Sequence, residues 1–110
     1  MDNGEGMQGK PLVVSIPHRL GKDEALRRIR SGLGNVRQSY AQFVTFDEET
    51  WVGDRLNFRL RALGQAAHGA IDVREDHVQL EVTLPWLLGV VAEQLTPLIR
   101  KEGTLMLEKK

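Results

Sequence analysis

The stretch from Asp76 to Ile99 reads DHVQLEVTLPWLLGVVAEQLTPLI, a strand pattern that passes through one proline directly into a helix pattern. Val78, Leu80, Val82 and Leu84 alternate with His77, Gln79, Glu81 and Thr83, the period of two expected of a strand with one buried and one wet face. Pro85 ends that ladder because it has no amide proton to donate, and its fixed φ suits the first turn of a helix. Beyond it, Leu88, Val91, Ala92, Leu95 and Ile99 recur at three- and four-residue spacing and so line one helix face. The expected product is a helix lying back across the sheet.

Working towards the N-terminus, the strand before Asp76 carries Ala67, Gly69, Ile71 and Val73 on one face, with a turn at Arg74-Glu75 between them. Before it, Leu56, Phe58 and Leu60 alternate with Arg55, Asn57, Arg59 and Arg61, and Gly64 marks the reversal. Gly53-Asp54 is a plausible tight turn back to an irregular strand over Phe43 to Val52. In that strand Phe46 and Trp51 have opposite parity, which a β-bulge would reconcile. The simplest register sets Leu56 opposite Ile71, Phe58 opposite Gly69 and Leu60 opposite Ala67. The next hairpin then pairs Ile71 with Val78, Gly69 with Leu80 and Ala67 with Val82.

At the start, Leu12 to Ile16 is short, β-branched and closed by Pro17, which fits a strand whose proline sits at its end or on an edge. From Lys22 the pattern is helical, with Leu26, Ile29, Leu33 and Val36 on one face and Asp23 and Glu24 in the first turn, where the helix dipole favours negative charge. Gly32 and Gly34 set the helix exit between Ser31 and Gln38. Thr96-Pro97 predicts a kink or a fresh start in the last helix, and Leu105 to Leu107 read as its continuation past Gly103. Residues 1–10, MDNGEGMQGK, read as a polar, disordered leader, with Met7 a second candidate start. Residues 11–110 then form one domain of α+β class: an antiparallel meander with an N-terminal helix and a long C-terminal helix packed on one face. The order β-α-β3/4-α looks like a minimal START-like, helix-grip arrangement.

Fifteen basic and fifteen acidic residues cancel, so no global field draws in nucleic acid or an anionic membrane, and nucleic acid is not an expected partner. Cysteine is absent, which excludes disulfides, zinc-thiolate sites and thiol catalysis and suits a reducing cytoplasm. No run approaches the ~20 apolar residues of a transmembrane helix. The three histidines lack metal-ligand spacing, the serines lie in no nucleophile elbow, and no cofactor motif is present. A non-enzyme is favoured, and no metal or cofactor is expected.

Two surfaces stand out. The register lines up Arg55, Asp72 and His77 on the polar face of the meander, and Arg59, His68 and Glu81 beside them. A solvated ladder of cross-strand pairs is the simpler reading of these six. His18, between strand and helix, reads as a capping or packing residue rather than a base. The second surface is the junction helix, which is apolar nearly all round. With one face on the sheet, Trp86, Leu87 and Val90, together with Trp51, are candidates to line a cavity, a homodimer interface or a lipid-like surface, with burial in the core as the plainer alternative.

Two segments, SIPHRLGKDEALRRI at Ser15 to Ile29 and WVGDRLNFRLRALGQAAHGAIDVREDHVQLEVTLPWLL at Trp51 to Leu88, resemble the polyhydroxyalkanoic acid system proteins. The W-x-G-D turn at Trp51 to Asp54, Gly69 and the L-P-W junction at Leu84 to Trp86 carry the resemblance in combination. It implies a small bacterial protein in a cytoplasm containing polyester granules and hydroxyacyl intermediates, and it transfers no catalytic residue. The expected function is a noncatalytic accessory protein that touches a polyhydroxyalkanoate granule or a granule-associated protein through the apolar helix surface. The alternative is a small carrier that holds an acyl chain or similar apolar molecule between sheet and helix.

Overall fold

The structure, a computed structural model, describes residues 11–62, 64–83 and 92–108. Its elements are β1 (Pro11–Pro17), α1 (Lys22–Ser39), β2 (Val44–Val52), β3 (Arg55–Ala62), β4 (Gln65–Val73), β5 (His77–Thr83) and α2 (Ala92–Glu108). The five strands form one sheet in the order β1-β5-β4-β3-β2, antiparallel at every pairing. This is the α+β class that the alternations predict. The two prolines of β1 fall on an edge strand, where a missing amide donor costs the ladder least.

Alternation decides which face each strand buries. Leu56, Phe58, Ala67, Val73, Val78, Val82, Val14 and Ile16 are all buried, while their neighbours in sequence point to the other face. The β3–β4 pairing is as read from the sequence: Leu56↔Ile71, Phe58↔Gly69 and Leu60↔Ala67. The β4–β5 pairing is not. It sets Val73 opposite Val78, Ile71 opposite Leu80 and Gly69 opposite Val82. The Arg74 amide donates to the His77 carbonyl at 2.8 Å, closing a tighter turn that brings Val73 over Val78. The shift is an even one, so each side chain keeps its face.

The bulge in β2 lies between Phe46 and Glu48. It places Phe46 opposite Leu60, Glu49 opposite Phe58 and Trp51 opposite Leu56, so all three share the apolar face despite their unequal spacing. Gly53 takes a φ of 61° in the β2–β3 turn, a conformation that costs glycine little.

Both helices cover this face, and two glycines let them approach closely. α1 runs through Gly32 and Gly34 to Ser39 rather than ending among them. A Cβ on Gly32 would lie 2.5 Å from Met106 Cγ, so the absent side chain is what admits α2. That packing offsets the roughly 1 kcal/mol that glycine costs a helix. At Gly103 a Cβ would collide with Ile16 Cδ1, which lets α2 lie directly on β1. α2 neither stops nor restarts at Pro97, which lies within it and is exposed. Leu105 to Leu107 continue the helix, and Leu107 is buried.

The core therefore has two parts. Where the helices touch the β1 side, Val14, Ile16, Val73 and Val78 pack with Ala25 and Ile29 of α1 and Leu107 of α2. Farther along the sheet, Leu56, Phe58, Ala67 and Val82 form a cluster whose buried members all come from strands. Arginines tie the layers together: Arg28 Nη1 donates to the Leu107 carbonyl at 2.6 Å, and Arg100 Nη1 donates to the Ser15 carbonyl of the edge strand at 3.0 Å.

Two expectations follow. Alanine normally suits a strand better than glycine, yet a Cβ on Gly69 would collide with the Glu81 carbonyl oxygen and lie 2.9 Å from Phe58 Cζ and 3.0 Å from Val82 Cα. Backbone atoms cannot swing aside, so Gly69→Ala should lower urea-unfolding stability by about 2 kcal/mol, against the propensity scale. The second concerns Glu24, which accepts from Arg27 Nε at 3.0 Å and Arg28 Nε at 2.7 Å. These bonds, Arg27 first, pull its carboxyl from an ordinary 4.5 down to about 2. A depressed carboxylate adds stability that is present above its unfolded value and is lost as the pH falls through the folded one. Glu24→Gln should therefore be less stable than the parent at pH 7, and the two should converge as the pH drops from about 4.5 to about 2.

Candidate functional site

A cavity of about 430 Å³ opens between the two helices and the inner face of the sheet. Its walls follow from three periodicities. Ile29, Leu33, Val36 and Tyr40 lie at i, i+4, i+7 and i+11 on α1 and the turn that ends it. Leu95, Ile99, Gly103 and Met106, with Leu98 and Glu102 beside them, form the facing stripe of α2. The floor is the inner face of the sheet, with Phe46, Leu56, Phe58, Leu60, Ile71 and Leu80 at its centre. Phe43 is 66% exposed and Leu98 37%, so the cavity is open on the side they line.

Among the described lining residues only Tyr40, Glu49 and Glu102 carry polar side chains. Tyr40 is fixed by its backbone: its amide donates to the Val36 carbonyl at 3.1 Å, and its carbonyl accepts from Phe43 and Val44, each at 2.9 Å. Its hydroxyl donates to Glu102 Oε2 at 2.9 Å. That bond to a carboxylate, and after it burial, pushes the Tyr40 phenol above its ordinary value. Glu49 reaches this face through the β2 bulge and accepts from Arg37 Nε at 3.0 Å and Nη2 at 2.6 Å. A wall this apolar with a few polar atoms set in it is the usual make-up of a small-molecule site, and the volume falls within the roughly 300 to 1,000 Å³ such sites occupy.

The residues picked out from sequence sit elsewhere. Trp86, Leu87 and Val90 lie outside the described residues. Trp51 is half-buried, packs against both core clusters and lies under the Arg30 guanidinium at 4.7 Å, but it does not line the cavity. Of the polar candidates, none is in the cavity lining. The rows differ from the expected ones as the corrected β4–β5 register requires: Arg55 faces Asp72 and then Gln79, and Arg59 faces His68 and then Thr83. His77 and Glu81 thus drop out of the rows assigned to them. Arg55 forms an ion pair with Asp72, and Arg59 pairs with Glu48 at 3.5 Å. His77 Nδ1 lies 2.7 Å from Asp76 Oδ1, a bond that holds the Asp76 carboxyl below its ordinary value.

His18 latches two loops. Its Nδ1 accepts from the Leu20 amide at 3.1 Å, so Nε2 carries the proton and donates to the Arg74 carbonyl, also at 3.1 Å. The arginines of α1 offer little to a phosphate, since Arg27 and Arg28 are both committed to Glu24. Among the described residues no three potential ligands cluster to hold a metal ion, and no helix is long and apolar enough to cross a membrane.

Tyr40, Glu49 and Glu102 are the residues that sequence reasoning missed. Two of them carried a signal. Glu49 shares parity with Trp51, the bulge being needed only to bring Phe46 to the same face, and Glu102 falls three residues after Ile99 on the apolar stripe of α2. The chain matches none of the curated proteins and none of the solved structures with which it was compared. Residues 12–105 match the model of the family "Putative polyhydroxyalkanoic acid system protein", and the chain belongs to that family.

Proposed function

We propose that this protein serves the polyhydroxyalkanoic acid system as a noncatalytic carrier that holds an aliphatic acyl chain in the cavity between sheet and helices. The observation that supports this most is the cavity itself, about 430 Å³ walled by aliphatic and aromatic side chains. A void of that size left dry would forfeit dispersion contacts along its whole lining, and an aliphatic chain restores them. The family setting supplies the class of molecule: polyhydroxyalkanoates are polyesters of hydroxyacyl units. The arrangement is also what a helix-grip domain would use, with a sheet and its C-terminal helix closing on an apolar guest.

A second reading, association with the granule surface or a granule-bound protein, draws on Phe43 and Leu98. These exposed apolar residues belong to the cavity lining, so a surface contact there would also cover its opening.

Calorimetric titration with methyl octanoate, an uncharged acyl chain, separates the two. The carrier reading expects saturable one-to-one binding with a negative heat-capacity change. It also expects Val36→Trp, which fills the cavity, to weaken binding by about tenfold or more, while Val13→Trp on the opposite face leaves it unchanged. Absence of binding, with retention of the protein on isolated polyester granules, would overturn the carrier reading in favour of the surface one.

A further inference from the structure

We infer that the cavity selects a chain whose polar end is a neutral hydroxyl and discriminates against a free carboxylate. This rests on the carrier reading and adds the chemistry of the head group. The polar atoms at the cavity are of one kind. Tyr40 has given its only proton to Glu102 Oε2, so its oxygen offers lone pairs and no donor. Glu102 has a second carboxylate oxygen, and among the described residues no cation lies within ion-pair distance of it. Glu49 is also an acceptor, already neutralised by the two-pronged Arg37 contact. No lysine, arginine or histidine is among the described lining residues.

Among the described residues, then, the rim accepts hydrogen bonds and has no donor left to give. An alcohol at the chain end donates to the Tyr40 oxygen or to the free oxygen of Glu102. A carboxylate there meets a second carboxylate with no donor between them, in surroundings that screen charge poorly. A fatty-acid carrier needs the reverse arrangement, with a cation or a converging set of donors at this place. An ammonium head would match the charge of Glu102 but must leave its hydration shell beside an apolar wall, which the neutral alcohol avoids.

The test compares octan-1-ol, octanoate and octylammonium on the full chain at pH 7, where the acid is ionised. The expected result is that octanol binds at least about tenfold more tightly than octanoate, with octylammonium no tighter than octanol. Tyr40→Phe should weaken octanol and leave octanoate unchanged. Glu102→Gln should strengthen octanoate by about tenfold with an unaltered circular dichroism spectrum. Octanoate binding as tightly as octanol, with both blocked by Val36→Trp, would overturn the head-group inference while leaving the carrier standing. Tighter binding of octylammonium would overturn it in the same way. Failure of all three to bind would remove the carrier and this inference together.

Discussion

The close approach of α2 to β1 governs the rest of the molecule. At Gly103 the helix lies on Ile16 with no side chain between them, and at Gly32 the first helix accepts Met106 in the same way. Those two contacts bring both helices down at the β1 side of the sheet, where Val14, Ile16, Ala25, Ile29, Val78 and Leu107 close into a dense core. The cavity lies between these helices and the inner face of the sheet, and among the described residues its lining draws on all five strands.

The same geometry accounts for the polar atoms found there. The end of α1 brings Tyr40 to the cavity, α2 brings Glu102 to meet it, and the β2 bulge turns Glu49 inward from a run of acidic residues that otherwise faces solvent. On the other face of the sheet the charges are largely matched across strands: Arg55 with Asp72, Arg59 with Glu48 and Arg61 with Asp47. Pairs this exposed contribute little each, about 0 to 1 kcal/mol. The sheet therefore has a self-satisfied outer face and an inner face with space left over it.

Much of the fold could be read from the sequence because a period of two is unambiguous when one face is buried. The alternations of β3, β4 and β5 assigned every strand face correctly, and the parity conflict between Phe46 and Trp51 pointed to the bulge. The β4–β5 register was not readable, because a shift by two residues preserves every face. Only the Arg74–His77 turn distinguishes the two pairings. Gly32 and Gly34 misled for a related reason: propensity treats them as helix breakers, whereas Gly32 serves a helix–helix contact that appears only once the layers are assembled. A cavity between sheet and helix was among the expectations, but its lining was not readable because it is a property of packing, and Tyr40, Glu49 and Glu102 share no common spacing in the chain. The choice of the junction helix as the binding surface came from its apolar composition, and those residues lie outside the described part of the structure.

The most direct test of the central claim is to locate a bound chain by NMR. With methyl-labelled protein and methyl octanoate, intermolecular nuclear Overhauser effects are expected at Leu33, Leu60, Leu80 and Met106, which come from four different elements and converge only in the cavity. Effects confined to outward-facing methyls such as those of Val13 and Val52, or none at all, would contradict the account.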